Sequence, residues 1–275
     1  MTTIGLLYPG EMGAALGAAL VAAGRDVRWA SEGRSAASIE RAVAAGLVDA
    51  GTLAGLLPSC DVVLSVCPPH AALGVARAVA AAAATAGDAT RRPWLYVDAN
   101  AISPATTRLV DEVAGDAGAR FVDGGIVGPP PARAGTTRLY LSGPHALDAS
   151  AVLGAALFEI HVLGDEVGAA SALKLAYAAW TKGSAALLLA ARDAAERAGV
   201  QQALEAEWRD SQPDLPGRLE GAQQSARRKG WRWVGEMEEV AAMFRSLGLP
   251  GGFHEAAAEI FAALSAAARV QGRRE

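Results

Sequence analysis

The chain has 275 residues, of which 52% are hydrophobic, 20% charged and 5% aromatic, and its formal net charge is −4. That length suits two ordinary domains or one large one, and the composition is not that of a disordered chain. A pI near 5.7 leaves no basic footprint for nucleic acid.

The predicted elements alternate through the first half. Thr3–Tyr8 reads as a strand, Gly13–Ala23 as an alanine-rich helix, Asp26–Ala30 as a strand and Ser35–Ala45 as a helix. The apolar run Asp61–Val66 is a strand stopped by Pro68 and Pro69. His70–Ala84 is a helix, Trp94–Asp98 a strand, Pro104–Ala114 a helix, and Arg120–Val127, Thr137–Ser142 and Glu159–Leu163 are strands. Continuous apolar strands separated by helices predict a mostly parallel sheet covered on both faces. From Val167 onward the pattern is helical: one long run to about Ala198, a break at Pro213 and Pro216, then Trp231–Leu247 and Phe253–Val270. The expected architecture is an α/β domain with a mostly parallel sheet over 1–164 followed by an all-α domain over 165–275.

No charged segment precedes a separate apolar stretch at the N-terminus, so no signal peptide is expected. The apolar runs Ala71–Ala86 and Val167–Ala191 carry Arg77, or Lys174 and Lys182, and read as buried helices rather than membrane spans. Cys60 and Cys67 fit neither a redox nor a zinc pattern, and the four histidines lack metal spacing. No metal is expected, and the reading is a reduced, cytoplasmic protein.

After the first strand comes Tyr8-Pro9-Gly10-Glu11-Met12-Gly13, then a helix. In a βαβ context this is where a turn and a helix N-terminus receive a dinucleotide pyrophosphate. Gly10 would admit the phosphates and Gly13 would let helix and strand approach, although Tyr8 occupies the first glycine position of the G-x-G-x-x-G pattern. The end of the second strand, Ser31-Glu32-Gly33-Arg34-Ser35, decides between cofactors. Ser31, Arg34 and Ser35 suit a 2′-phosphate, with Arg34 supplying a planar fork. Glu32 would suit a ribose hydroxyl. The reading favours NADP(H) and leaves NAD(H) open.

Only three of the 25 basic residues are lysines: Lys174, Lys182 and Lys229. Ser171, Lys174, Tyr177 and Thr181 recur at helical spacing and form one polar stripe on an otherwise apolar helix, while Lys182 lies off it. A buried ammonium needs partners or a cavity, and burial lowers its pKa toward a range useful for proton transfer. The same spacing also suits a lysine snorkelling at a subunit interface.

These residues resemble the β-hydroxyacid dehydrogenase and 6-phosphogluconate dehydrogenase superfamily along nearly the whole chain. Gly5 through Gly13 resembles the fingerprint G-[FIL]-[IL]-G-L-G-x-M-G. Phe121 through Pro129 resembles the substrate segment F-x-D-A-P-V-S-G-G, and Gly168 through Lys174 resembles the segment of the catalytic lysine. Trp231–Glu239 and Gly252–Ala257 resemble a bacterial subgroup whose substrates are poorly assigned, and imine reductases are cousins. The resemblance implies a Rossmann domain followed by a helical domain, a homodimer with the site in the cleft between domains, and Lys174 exchanging a proton with substrate while hydride moves to or from a nicotinamide. It brings in Val66, Cys67, Pro68 and Asn100 at strand ends as cofactor contacts. Asn100, Val127, Gly128, Ser171, Thr181, Trp231 and His254 become candidate substrate contacts; His254 opens the last helix, a place that suits a surface histidine better than a residue of the cleft.

The departures bear on the substrate. The family's asparagine four residues after the lysine is Ala178, the serine of the substrate segment is Val127, and its second glycine is Pro129. A less polar pocket suits a ketone or imine, with Tyr177 taking up the lost polar role. The expected function is an NAD(P)-dependent oxidoreductase acting on a small carbonyl or hydroxy compound. The alternatives are an imine reductase and a non-catalytic NADP(H)-binding regulator.

Overall fold

A computed structural model describes residues 2–86 and 93–271. In chain order the first elements are β1 (Thr3–Leu7), α1 (Glu11–Ala22), β2 (Asp26–Trp29), α2 (Ala36–Ala44), β3 (Val48–Asp49), α3 (Leu53–Leu56), β4 (Val62–Ser65) and α4 (Ala72–Ala86). There follow β5 (Trp94–Asp98), α5 (Pro104–Asp116), β6 (Ala119–Val127), β7 (Arg138–Ser142), α6 (Ala146–Leu153) and β8 (Glu159–Val162). Four long or medium helices close the chain: α7 (Ala169–Arg197), α8 (Gln201–Ser211), α9 (Leu215–Ser246) and α10 (Gly252–Gln271).

The strands form one sheet in the order β3-β2-β1-β4-β5-β6-β7-β8. Neighbours from β3 through β6 are parallel, β7 runs antiparallel to β6, and β8 is parallel to β7. The strands read as unbroken apolar runs because both faces are covered. Ile4, Leu6, Val62 and Leu64 join one core, and Leu7, Val63 and Tyr96 join the other, as the two-residue side-chain period requires. Parallel strands place the turns after β1, β2, β4, β5 and β6 on one carboxyl edge, and the candidate cofactor residues lie in those turns.

The chain divides into two compact units, Met1–Lys174 and Leu175–Glu275, and the division falls inside α7. The structure adds elements the pattern did not predict: β3, α3, α6 and α8. A two-residue strand and a four-residue helix are too short to show a period. Helix α9 begins at Leu215, well before the expected Trp231. Pro216 lies in its first turn, where a missing N–H leaves no bond unmade. Gly230 inside α9 is a packing position, since a Cβ there would lie 3.2 Å from Ser265 Oγ of α10. Among the described residues no helix is long and apolar enough to cross a membrane, and no group of three or more His, Cys, Asp or Glu side chains could hold a metal ion.

Candidate functional site

The turn after β1 is strained at one residue. Tyr8 has φ +62°, and among the described residues it is the one non-glycine with positive φ. A side chain in that region costs about 1–3 kcal/mol. Its carbonyl accepts the Gly10 N–H at 2.7 Å and lies against α1, so that a Cβ on Gly13 would come within 2.8 Å of it. Gly10 caps α1 without a side chain. The first-turn N–H groups and the positive end of the helix dipole are therefore left to an external anion. Pro9 is buried, Met12 is half-buried, and Glu11 points to solvent.

Beyond β2, the Arg34 guanidinium carbon lies 3.6 Å from the Tyr8 ring centroid. Ser31 is committed elsewhere: burial opposes ionisation of Asp49, but donors from Gly51 and Ser31 together hold that carboxyl below its usual range. Ser35 caps α2 by accepting from Ser38 N–H. Arg41, which the sequence reading did not select, donates Nε to the Pro9 carbonyl at 3.1 Å and Nη2 to Ser38 Oγ at 3.2 Å. It ties α2 to the phosphate turn. A helix N-terminus without a side-chain cap, Gly13 packed against the Tyr8 carbonyl, open space at Gly10 and Arg34 beyond the end of β2 fit a dinucleotide carrying phosphate groups.

At the ends of β4 and β5, Asn100 faces inward. It is buried, and its Oδ1 accepts the Cys67 N–H. Its Nδ2 donates to Ser65 Oγ and Asp98 Oδ2, and its N–H donates to Asp98 Oδ1. Asn100 thus braces the turn Val66–Pro68 against β5, and its amide donors are spent on the protein. Burial pushes the Asp98 carboxyl up to about 7, against the donors from Asn100. Burial likewise pushes the Cys67 thiol up to about 12, which makes it unreactive.

Lys174 is set by a clamp from β6. Asp123 is fully buried. Its Oδ2 accepts from Ser142 Oγ, Gly168 N–H and Ser171 N–H, each at 3.0 Å, and its Oδ1 accepts from Ser171 Oγ at 2.6 Å. Ser142 Oγ in turn accepts the Ala170 N–H. A carboxylate from the sheet therefore caps the N-terminus of α7, where orphan N–H groups and the helix dipole favour negative charge. Burial nonetheless pushes the Asp123 carboxyl above its usual value. Sequence reasoning passed over Asp123, although an acid inside a buried strand must find partners. One turn along α7 the Lys174 stem lies over Gly125: a Cβ on that glycine would be 3.0 Å from Lys174 Cβ and 2.6 Å from the Ala170 carbonyl. Val127 is buried at the end of β6, and Gly128 follows it with φ +116°.

The polar stripe on α7 is not uniformly buried. Ser171 is buried and spent on Asp123 and Thr107. Lys174 is half-buried, and Tyr177 is 48% exposed. Thr181 donates to the Tyr177 carbonyl of its own helix. Tyr177, Thr181, Trp231 and His254 belong to the second unit. There Lys182 pairs with Glu236, and a cleft of about 250 Å³ is lined by Thr181, Ser184, Arg218, Ser225 and Trp233. Trp231 is 53% exposed. His254 is neither a surface residue nor in that cleft. It is buried between Phe244 and Phe253, its Nδ1 finds no hydrogen-bond partner among the described residues, and burial lowers its pKa. Its place at the start of α10 suggested exposure; packing of that helix end against α9 and α7 overrides it.

Residues 2–153 match the NAD binding domain of 6-phosphogluconate dehydrogenase. Residues 195–264 match a domain of unknown function, DUF1932. No curated protein matches the chain in sequence. Among solved structures, a conserved protein of unknown function, described as structurally similar to 3-hydroxyacid dehydrogenases, is 30% identical with a TM-score of 0.67. That match covers 98% of this chain and 99% of the other. The Mycobacterium tuberculosis 3-hydroxyisobutyrate dehydrogenase, with L-serine, is 22% identical over 97% of this chain and 94% of its own, with a TM-score of 0.71. An Aspergillus terreus reductive aminase, in complex with NADPH and ethyl-5-oxohexanoate, is 20% identical over 100% and 94%, with a TM-score of 0.58. At those identities the last two speak for the fold.

Proposed function

Because the chain belongs to the β-hydroxyacid dehydrogenase and 6-phosphogluconate dehydrogenase-like superfamily, and is thereby an NAD(P)-dependent oxidoreductase of the hydroxyacid dehydrogenase type, we propose that it reduces or oxidises a small carbonyl or hydroxy compound, prefers NADP(H), and uses Lys174 as the general acid or base. The observation that carries this reading is the seating of Lys174 over Gly125 on β6, with α7 held in place by Asp123. A bound nicotinamide would supply or take the hydride. The chain's own part is to hold the pyrophosphate at the N-terminus of α1, the ribose phosphate at Arg34, and a proton at Lys174 Nζ. Buried Val127 and the following Gly128-Pro129 offer no side-chain donor to a substrate carboxylate. That favours a ketone or an imine over an acid. With an imine the proton from Lys174 would go to nitrogen, and Tyr177 is the second candidate donor. The exposed aromatic residues of the helical unit support a homodimer.

The test is a panel of 3-hydroxyacids, ketones and cyclic imines with NADPH and NADH, run on wild type and Lys174→Met. Loss of a positioned proton donor is worth about 10²–10⁴ in kcat. The variant is expected to fall by that factor while still binding NADPH. Turnover at the wild-type rate would remove Lys174 from the chemistry. Tight nucleotide binding with no turnover of any compound would favour the regulator.

A further inference from the structure

We propose that Tyr8 is a positioning residue for cofactor choice: its ring carries the Arg34 guanidinium to the end of β2, where it receives the 2′-phosphate of NADP(H). The inference rests on the NADPH reading above and deepens it, because it assigns the selectivity to a pair of residues rather than to Arg34 alone.

Two independent observations meet here. The first is the strained backbone of Tyr8. The turn needs positive φ at this position, which glycine supplies freely, yet the chain keeps an aromatic residue there at φ +62°. Strain of this kind persists where the surrounding structure requires that side chain. The left-handed conformation turns the Tyr8 carbonyl onto Gly10 and Gly13, and the ring packs beside the core cluster that includes Cys67 and Ala72. The ring is thus fixed at both ends.

The second observation is the state of Arg34. Its guanidinium is half-buried and 3.6 Å from the ring centroid, and among the described residues it makes no ion pair or side-chain hydrogen bond. The acid two positions earlier, Glu32, is exposed and does not take it. A ring face attracts a cation but accepts none of its five N–H donors in the guanidinium plane. The fork is therefore held in place with its donors unspent, which is the state a phosphate oxygen pair requires. A carboxylate partner would have fixed Arg34 equally well but would have consumed those donors. Ser31 and Ser35, by contrast, are already bonded to Asp49 and Ser38, so the selectivity falls on the Tyr8–Arg34 pair.

The experiment is an equilibrium fluorescence titration of the full chain with NADPH and with NADH, repeated by competition with 2′-AMP and 5′-AMP. Wild type is expected to prefer NADPH. Tyr8→Phe keeps the ring and should keep that preference. Tyr8→Leu is expected to weaken NADPH about tenfold and leave NADH within about twofold, and 2′-AMP should follow NADPH. Tyr8→Gly, which relieves the strained backbone and guards against a folding failure, should do the same. Arg34→Ala should lose at least as much, and adding Tyr8→Leu to it should lose nothing further, since the ring acts through the guanidinium. An unchanged preference in both Tyr8→Leu and Tyr8→Gly would overturn the inference, as would equal weakening of both nucleotides. A wild type that binds NADH as tightly as NADPH would sink the NADPH reading itself, a result visible before any variant is made.

Discussion

Asp98 and Asp123 sit side by side in register on β5 and β6, both buried, and they do different work. Asp123 collects four hydrogen bonds and caps α7, whereas Asp98 is bonded only to Asn100 among the partners described above. The Asp98 carboxyl, pushed up to about 7 mainly by burial, has a consequence for stability. The folded chain binds that proton more tightly than the unfolded chain, whose carboxyl titrates near 3.8. Below pH 4 both states hold the proton. Between pH 4 and 7 the unfolded state ionises first, so stability falls as pH rises. Above pH 7 the loss is complete, and it amounts to something on the order of 4 kcal/mol. Unfolding free energies measured by denaturant at pH 5 and pH 8 should therefore diverge more in wild type than in Asp98→Asn. Burial of neutral His254 slopes the opposite way below pH 6.5, so the readout is the difference between the two proteins. An identical pH dependence in both would refute the role given to Asp98. None of this was legible in the sequence, where Asp98 ends one strand and Asp123 lies in the middle of the next.

At the scale of elements, the seating of α7 on β6 is the feature on which the proposed lysine chemistry depends. The sequence announced the helix, the strand and the lysine separately. It did not say that Gly125 lets them touch, or that Gly124 beside it lets β6 lie close to the end of β5. A Cβ on Gly124 would meet the Asp98 carbonyl at 2.8 Å, and one on Gly125 would meet the Ala170 carbonyl at 2.6 Å. Both obstacles are backbone, which cannot swing aside. Gly125→Ala is expected to cost about 1–3 kcal/mol of stability through overpacking. It should also lower turnover on whichever compound proves active, while NADPH affinity, which the proposed reading assigns to the turn after β1, stays close to wild type. Thermal unfolding and nucleotide titration on the same preparation check both parts, and a variant with wild-type stability would show that α7 is not held against β6 at this point. Helix α9 carries the opposite lesson. Pro213 and Pro216 suggested a break before Trp231, but Pro213 lies ahead of the helix and a proline in the first turn is compatible with continuous helix.

At the scale of the whole molecule, the helical unit leaves large apolar side chains in solvent. Trp180 is 70% exposed, and Tyr177 and Leu187 lie on the same side of α7; Trp231 is exposed on α9. Such patches mark association surfaces, and the expected result is a particle of twice the 28.0 kDa chain mass by light scattering, reduced to the monomer by Trp180→Asp. A monomeric wild type at micromolar concentration would contradict the homodimer. The sequence by itself determined the alternation of strands and helices, the parallel sheet, the helical second half, the glycine-containing turn between β1 and α1, and the lysine helix. All of these are written in local periodicity and in the position of glycines, and local periods survive without knowledge of the fold. Only the tertiary structure decided which polar groups are spent and which are available. Asn100, Ser31 and Ser171 turned out to be committed to Cys67, Asp49 and Asp123. Arg34 kept its donors because its partner is a ring, and Asp123 emerged as the cap that sets Lys174. The reason is physical: a hydrogen bond between residues far apart in sequence depends on distances of a few tenths of an ångström, and no pattern along the chain encodes them.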